Sequence, residues 1–434
     1  MPMPAADVAH LLRRSGFGGS AADVLSLAAL DLNAVVDHVM STSSNPPSVV
    51  PTIFANTSSS DYERFMALTH DWMDRMATVP APVQEKMALF WHGHFTSALD
   101  KLYDANAFQQ QLWLYRSLAT SDFRALTHAM ALQPAMLRYL DNGDNVAGSP
   151  NENFARELME LFLLGVGHYS EADVAASARA WTGYGLNADW SAYEYHPNEH
   201  DAGPKTFMGK TVNWTGPMII DELFDNATTR PVLAGYITTK LWNFFAGPGT
   251  ITPAVSGALS STFISSNFDI AAVLRAIFLR PEFYGANVKS GLVRSPVEYA
   301  VAIMRGSGLS AAQANPEWYI DKMGQQLFNP PNVSGWKQNG YWISTSAAAA
   351  KADFVDYVGW RGNELSSFVD PAGLTPDQAV QAAFDRFQII SPSAATRSAL
   401  VSWLQRQRSA LYEGWAERRT LSVLVMLSPD IQMA

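Results

Sequence analysis

NENFARELMELFLLGVGHYSEADV, residues 151–174, alternates apolar and charged side chains with the spacing of an α-helix. Projected at about 100° per residue, its large apolar side chains gather on one broad face. That face consists of Phe154, Leu158, Leu161, Phe162 and Gly165, extended by Met159, Leu163 and Val166. Gly165 and Gly167 end the helix, and Ser170 caps the next one. The stretch therefore predicts a helix that packs a wide face against a core.

The rest of this helix forms a narrow arc with Arg156, Glu157, Glu160 and one leucine, Leu164. Glu152, Arg156 and Glu160 follow one another at the i,i+4 spacing, as ion pairs on a solvated helix face do. Glu157 and Glu160 have the i,i+3 spacing that helical bundles use, with a histidine, to hold metal ions. The pattern alone leaves open whether this arc meets solvent or walls a polar cavity.

Helical spacing dominates the sequence on both sides of this stretch. Residues 20–40 and 61–77 have the pattern of amphipathic helices joined by a Ser-, Pro- and Asn-rich surface connection. Helical patterns return at 217–245 and 269–308. We expect a mainly α protein: a multi-helix globular bundle with ordered Gly/Pro/Trp-rich loops and at most a small β element.

The same patterns divide the chain into four segments. An N-terminal helical segment, 1–80, precedes a helical core, 81–183, which contains the HxH and NENFARELMELF motifs. An irregular or β-containing insertion, 184–216, follows, because Gly, Pro, Asn and aromatic residues interrupt the helical spacing there. A C-terminal helical region, 217–434, contains the PPNVSGW loop.

The composition excludes several kinds of site. The chain has no cysteine, so any metal must use nitrogen and oxygen ligands. Forty acidic against thirty basic residues argue against a nucleic-acid partner. No window approaches about 18 uninterrupted apolar residues, so we expect no membrane span. No phosphate-cradling or dinucleotide glycine motif occurs, so we expect no nucleotide cofactor.

Two histidines supply a second group of candidates. LFWHGHFTS, residues 89–97, places His92 and His94 on either side of Gly93. In a regular helix the two rings would lie about 200° apart, whereas a helix end at Gly93 could bring them to one metal ion. The alternative is two interior histidines that bond neighbouring carbonyl groups.

The two ends of the 151–174 stretch carry further candidates. Asn151 and Asn153 close an Asp- and Asn-rich turn that suits either a hard cation or helix capping. His168 lies in the glycine-walled corner after the helix. There it could orient a substrate, or it could bond the free carbonyl groups of the helix end.

Two loops complete the set of candidates. NEHDAGPKTFMG, residues 198–209, supplies His200, Asp201 and Lys205 as a base, an orienting acid and a cation. PPNVSGWKQNGYW, residues 330–342, supplies Trp336 and Trp342. Aromatic side chains beside hydrogen-bonding loops suit flat sugar faces or aromatic substrates, although loop tryptophans more often serve packing.

Taken together, these blocks resemble a bacterial family known as domain of unknown function 1800. The resemblance runs in order through nearly the whole chain, in AHLLRRSGFGGSAADV, LFWHGHFTS, QPAMLRYLDN, NENFARELMELFLLGVGHYSEADV, ARAWTGY, HDAGPKTFMG and NPPNVSGW. It implies a mainly helical bacterial protein, often exported and often encoded beside a second uncharacterised family related to sulfatases. It implies no assigned catalytic residues. The start of the chain has no recognisable export signal, so the compartment stays undecided.

The leading hypothesis is an enzyme that hydrolyses a glycan or a similar polar polymer with a Glu/His acid–base or metal-assisted site. Its expected catalytic residues are Glu157, Glu160, His92 and His168. The expected substrate-binding residues are Asn151, Asn153, Arg156, His200, Asp201, Lys205, Trp336 and Trp342. A divalent metal, if bound, would take His92, His94, Glu157 and Glu160 as ligands. The alternatives are an iron, manganese or copper oxidoreductase that uses those ligands, and a binding or assembly module without turnover.

Overall fold

The computed structural model of the protein describes residues 1–289, 291–409 and 414–434. Within these ranges the chain forms 24 α-helices, several short 3₁₀ turns and two small two-stranded sheets. The expected fold class, a mainly α globular protein with at most a small β element, is confirmed.

The first half of the chain is a succession of short and medium helices. They are α1 (Ala5–Ser15), α2 (Ala21–Ala28), α3 (Leu32–Met40), α4 (Asp61–Thr78), α5 (Val83–His94), α6 (Leu99–Leu102), α7 (Ala105–Ser117), α8 (Phe123–Ala131), α9 (Pro134–Tyr139), α10 (Asn153–Glu157) and α11 (Glu171–Ala180). A π-helical segment, Leu158–Leu163, continues α10 without a break. The NENFARELMELF motif therefore spans a junction between two kinds of helix.

The second half repeats this pattern around a few longer helices. They are α12 (Gly216–Asp225), α13 (Thr229–Ala246), α14 (Pro253–Ser265), α15 (Ile270–Phe278), α16 (Ala286–Lys289), α17 (Pro296–Ser307), α18 (Ala311–Ala314), α19 (Pro316–Lys322), α20 (Thr345–Glu364), α21 (Pro376–Arg386), α22 (Ala394–Ser409), α23 (Gly414–Leu427) and α24 (Pro429–Gln432). The longest of them is α20, and α13 carries residues that matter for the candidate site.

The β structure consists of two antiparallel hairpins between α11 and α12. Strands β1 (Tyr184–Leu186) and β2 (Tyr193–Tyr195) pair with Tyr184 opposite Tyr195. Strands β3 (Lys205–Phe207) and β4 (Lys210–Val212) pair with Lys205 opposite Val212. Both hairpins lie within the segment that the sequence marks as irregular, while the division of the chain into four segments stays a prediction.

Local sequence signals account for many of the helix starts. At α11, the Ser170 hydroxyl accepts from the Asp173 N–H, and the Asp173 carboxylate accepts from the Ser170 N–H. Ser60 and Glu63 form the same reciprocal pair at α4. Each pair satisfies backbone donors that the first helical turn would otherwise leave free.

The helices pack around a continuous hydrophobic cluster that includes residues from Met3 to Ile431. Four tryptophans with almost no exposed surface, Trp72, Trp91, Trp181 and Trp242, lie in it. Burying such large rings removes much apolar surface from water, which is the main force that favours the folded chain. No helix in the described part is long and apolar enough to cross a membrane.

The motif helix differs from its sequence-based projection after Glu157. The Leu164 N–H donates to the Met159 carbonyl at 2.8 Å, an i→i+5 bond, so the last turn is wider than an α-helical turn. The extra residue shifts the phase of the side chains. Leu164, expected on the charged arc, is buried, and Val166, expected on the apolar face, is 75% exposed because it lies in the turn that follows Gly165, which has a φ of 85°. The helical projection at about 100° per residue was therefore wrong for Leu164 and Val166.

This packing predicts unequal costs for two truncations in the motif. Leu163→Ala removes a fully buried side chain, so we expect it to lower the free energy of unfolding by about 2–5 kcal/mol. Val166→Ala, at an exposed position of the same motif, is the matched control, and we expect a change within about 0.5 kcal/mol. Chemical denaturation followed by circular dichroism measures both, and equal losses would contradict the placement.

Candidate functional site

A small polar cavity lies between the motif-bearing half of the molecule and the C-terminal helices, and we call it the central cavity. Its volume is about 270 Å³. The side chains around it come from α5, α13, the 292–298 segment and the loop that contains PPNVSGW. They are Leu89, Phe90, Gly93, His94, Lys240, Asn243, Phe244, Leu292, Val293, Ser295, Glu298, Gln325, Ser334, Trp336, Gln338, Asn339 and Trp342. The cavity thus combines two indoles, several amide side chains, a histidine, a lysine and a carboxylate.

The π-helical segment fixes two of these side chains through its backbone. The last carbonyl groups of a helix have no partner within the helix and must find donors elsewhere when they are buried. The Phe162 carbonyl accepts from Nε2 of His94 at 3.0 Å. The Leu161 carbonyl accepts from the Tyr236 hydroxyl at 2.9 Å and from the Lys240 ammonium at 3.3 Å. Three side chains from two other helices are therefore anchored on one helix end.

His94 is held as a neutral imidazole. Burial first, and then the nearby charge of Lys240, keep the pKa of His94 well below its usual value. Because Nε2 faces a carbonyl oxygen, it must carry the hydrogen, which leaves Nδ1 with its lone pair free to accept. Nδ1 is buried and has no hydrogen-bond partner among the described residues. This wall of the cavity therefore holds an unused acceptor.

Lys240 lies beside His94 with an unusually acidic ammonium group. Burial lowers the pKa of Lys240 to about 8. Its hydrogen bonds, to the Leu161 carbonyl and to the Tyr236 hydroxyl, are both 3.3 Å long. An amine with a pKa near 8 can give and take a proton close to neutral pH, as acid–base catalysis requires.

Across the cavity, Glu298 is fixed as a carboxylate. It forms a buried ion pair with Lys86, and its other oxygen accepts from the Ser295 N–H at 2.7 Å. Burial alone would raise the pKa of Glu298, but the Lys86 charge and these hydrogen bonds outweigh it, so the pKa is lowered. The Lys86 ammonium also lies 5.1 Å from the Phe17 ring centroid and 5.5 Å from that of Phe244. The negative charge is thus permanent near neutral pH.

The PPNVSGW loop closes the cavity because it packs directly on the end of α5. The Thr96 hydroxyl donates to the Val333 carbonyl at 2.6 Å. Gly335 has a φ of 76°, and a Cβ atom there would lie 2.2 Å from the Gly93 carbonyl oxygen. Only glycine tolerates both the backbone conformation and the close approach. Trp336 follows at once, so this glycine sets the position of a cavity wall.

The structure places three of the sequence-predicted residues, His94, Trp336 and Trp342, around the central cavity. His92 points to a different environment. Its Nε2 accepts from the Phe328 N–H at 2.9 Å, and its ring lies among aromatic rings that include Trp72 and Trp336. Burial lowers the pKa of His92 to about 3. The two histidines of the HxH motif therefore have separate partners.

The charged arc of the motif helix does not line the cavity. Arg156 pairs with Glu171 at 2.7 Å and with Glu152 at 3.1 Å near the surface, and Glu160 accepts from the Tyr169 hydroxyl. Burial and then the charge of Glu160 raise the pKa of Glu157, whose Oε2 atom is buried and has no partner within residues 1–289, 291–409 and 414–434. The helix face is thus a half-buried polar network.

The expected metal-ligand grouping is not formed. No group of three or more histidine, aspartate or glutamate side chains that could hold a metal ion occurs in residues 1–289, 291–409 and 414–434. His92, His94, Glu157 and Glu160 thus do not converge as the spacing suggested. The reason is that the two histidines bond backbone groups of other segments, Phe328 and Phe162, while Glu160 pairs with Tyr169.

The residues at the two ends of the motif lie in turns. The Asn151 side chain accepts from the Asn153 N–H at 3.0 Å, and the Asn145 side chain accepts from the Asn151 N–H at 2.9 Å. His168 is exposed, in the corner before α11. None of these residues lines the central cavity. The two asparagine contacts are those of a turn before α10.

The NEHDAGPKTFMG loop is held by contacts of its own, away from the central cavity. His200 bonds the Thr182 carbonyl at 2.9 Å, and Asp201 pairs with Arg179 at 2.6 Å. The buried Lys205 donates to the carbonyls of Gly203 and Trp214 at 2.8 and 3.2 Å. These bonds join the β3–β4 hairpin to α11.

The comparison with known families agrees with the motif blocks. A family model described as "Protein of unknown function (DUF1800)" matches residues 10–433. The chain belongs to this family. The resemblance inferred from the sequence is confirmed over nearly the whole length of the chain. No curated protein and no solved structure matches it.

In this DUF1800 chain, sequence reasoning missed Lys240, Asn243 and Glu298. Lys240 lies in the helical stretch TRPVLAGYITTKLWNFFA, where no other charged residue follows Arg230, and this charge among mostly apolar residues was the available signal. Glu298 fits the third position of a capping box after Ser295, which by itself explains its presence. Asn243 follows Lys240 by one turn of the same helix, so the two would be recognised only together.

The buried ion pair between Lys86 and Glu298 predicts that the stability of the protein depends strongly on the presence of both side chains. Lys86→Met leaves the Glu298 carboxylate buried and unpaired, so we expect a loss of about 3–5 kcal/mol in unfolding free energy. The double variant Lys86→Met/Glu298→Leu removes the uncompensated charge and should recover most of that loss. Urea denaturation measures both, and a double variant as unstable as the single one would contradict the role of the pair.

Proposed function

We propose that the protein is a hydrolase of a glycan or a similarly polar polymer, with one hydroxyl-rich unit of the substrate bound in the central cavity. The observation that carries the proposal is a pair of unused acceptors. Nδ1 of His94 and Oδ1 of Asn243 are both buried without a partner in the described part of the chain, and both residues line the same cavity. A ligand that satisfies them must bring hydrogen-bond donors, and sugar hydroxyl groups do so.

The remaining walls support the same substrate class. Trp336 and Trp342 offer flat apolar surfaces, while Gln338 and the amide nitrogen of Gln325, whose oxygen already accepts from the Val297 N–H, offer hydrogen-bonding groups. The volume of about 270 Å³ is slightly below the usual range for ligand sites, so the cavity suits a single ring or a chain end. This arrangement favours binding at the end of a polymer over binding along its length.

The charged side chains support a hydrolytic step. The Lys240 ammonium donates a proton to the leaving oxygen as the glycosidic C–O bond breaks, and the fixed Glu298 carboxylate stabilises the positive charge on the sugar. Water then bonds to the sugar carbon, and its proton returns to the Lys240 amine. His94 and Asn243 orient the ring through its hydroxyl groups. This proposal moves the acid–base role from Glu157 and Glu160 to Lys240 and Glu298.

Substitution of the proposed acid tests this assignment. We expect Lys240→Met to lower the release of reducing ends from a panel of soluble polysaccharides by about 10²–10⁴-fold, the usual contribution of a general acid. Lys322→Met, at a lysine that lies over the Trp318 ring, is the control and should keep full activity. A wild-type protein that binds a panel member without releasing reducing ends would contradict hydrolysis and favour the binding module.

The pH dependence tests the same lysine in two ways. Since catalysis uses the protonated amine, the rate should fall as the pH rises through about 8, the lowered pKa of Lys240. Burial disfavours the Lys240 ammonium only in the folded protein. The resulting loss of unfolding free energy is fully present below pH 8. It becomes smaller as the pH rises toward the pKa that Lys240 has in the unfolded chain. Lys240→Met should therefore stabilise the protein more at pH 7 than at pH 10 in urea denaturation. An equal gain in unfolding free energy at pH 7 and at pH 10 would contradict the lowered pKa of Lys240.

The oxidoreductase alternative stays a prediction without a structural observation in its favour. Its four expected ligands are not grouped in the described residues. Elemental analysis of protein purified without chelator is the direct measurement. A stoichiometric amount of iron, manganese or copper would contradict the hydrolase proposal and favour the oxidoreductase.

A further inference from the structure

A second pocket lies on the other side of α5, beneath the Ser- and Pro-rich connection between α3 and α4, and we call it the Arg116 pocket. Its volume is about 500 Å³, and it shares no lining residue with the central cavity. Side chains from α5 and α7 form its floor, and the 42–48 segment forms one wall. Its polar lining was not among the sequence-based candidates.

The charges in this pocket are compensated. Arg75 and Arg116 both pair with Glu85, a carboxylate with no exposed surface, at 2.9 and 2.8 Å. The two guanidinium groups also hold the wall, because Arg75 donates to the Pro46 carbonyl and Arg116 donates to the Ser48 hydroxyl, each at 2.9 Å. Asp71 lies close enough to favour the charged form of Arg116. The pocket is therefore suited to an uncharged ligand.

Two polar side-chain atoms of residues that line the pocket have no hydrogen-bond partner among the described residues. Arg116 is only 3% exposed, and its Nη2 atom has no hydrogen-bond partner among the described residues. Oε1 of Gln133, which also lines the pocket, is buried and equally unpartnered. One is a donor and the other an acceptor. A secondary amide satisfies both, since its carbonyl accepts and its N–H donates.

The rest of the lining distinguishes between two amide-bearing polymers. Trp113 is half-buried in the pocket and has no ring contact with another described aromatic residue, so its face can pack against a sugar ring. The exposed Gln110 adds an amide group suited to hydroxyls. An extended peptide would instead favour an open strand edge, and none of the strands β1–β4 lines this pocket. The lining therefore favours a sugar over a peptide.

We propose that the Arg116 pocket binds an acetamido sugar of a polymer. The acetamido carbonyl accepts from Nη2 of Arg116, its N–H donates to Oε1 of Gln133, and the ring lies on Trp113. The polymer class rests on the proposed function, whereas the acetamido group is inferred from this pocket alone. The pocket then serves as an anchoring subsite outside the central cavity.

Titration of the intact protein with N,N′-diacetylchitobiose, followed by calorimetry, tests the inference. We expect cellobiose, which lacks the acetamido groups, to bind at least about tenfold more weakly. Trp113→Leu and the volume-conserving Gln133→Met should each weaken diacetylchitobiose binding by about tenfold or more. Trp360→Leu, at a tryptophan that is 53% exposed on α20, is the matched control and should leave binding unchanged. Circular dichroism confirms that each variant is folded.

Each contrary result has a definite meaning. Equal affinity for cellobiose, or full affinity in Gln133→Met, would overturn the acetamido assignment. Tighter binding of N-acetylglycine methylamide would identify a peptide surface and also overturn it, as would the absence of any sugar binding. A wild-type protein that binds diacetylchitobiose but releases no reducing ends from any panel member would refute the proposed function alone, and one that hydrolyses a panel member without binding diacetylchitobiose would refute this inference alone.

Discussion

The end of the motif helix is the feature on which the central cavity depends. A helix terminus leaves carbonyl groups without partners, and the i→i+5 bond of the π-helical segment shifts which of them are left. Because the Leu161 and Phe162 carbonyls are inside the protein, donors from elsewhere must reach them. His94 and Lys240 are two of these donors, together with Tyr236. The motif therefore shapes the cavity through its backbone, while its charged side chains lie away from the cavity, with Arg156 in ion pairs near the surface and Glu160 bonded to Tyr169.

The opposite walls are held by contacts of a different kind. Lys86 and Glu298 are far apart in sequence, and their buried pair joins α5 to the start of α17. A buried pair of this kind adds little net stability, but loss of either partner is costly. Gly335 brings the tryptophan loop within backbone contact of Gly93. The cavity is thus bounded by one ion pair, one close backbone approach and one helix end.

The helical spacing of the sequence was enough for the fold class, the approximate helices and the location of the small β element. It was not enough for the site, because a projection at a fixed angle contains no information on a π-helical turn, which misplaced Leu164, or on a turn after the helix end, which misplaced Val166. The partners of His94 and Lys86 are 68 and 212 residues away in sequence. Local spacing cannot show which donor meets which acceptor over such distances. Trp336 and Trp342 were found because ordered aromatic loops are uncommon without a role.

The chemistry of Lys240 follows from two opposing effects at this helix end. Removing an ammonium from water disfavours its charged form, whereas the partial negative charge of the last helix carbonyls favours it. Burial is the larger effect, so the pKa falls to about 8. The hydrogen bond to the Leu161 carbonyl still favours the ammonium, and without it we expect the pKa to fall further. The same carbonyl that positions the amine therefore helps to keep its pKa within reach of neutral pH, which links the wide helical turn directly to the proton transfer proposed for the cavity.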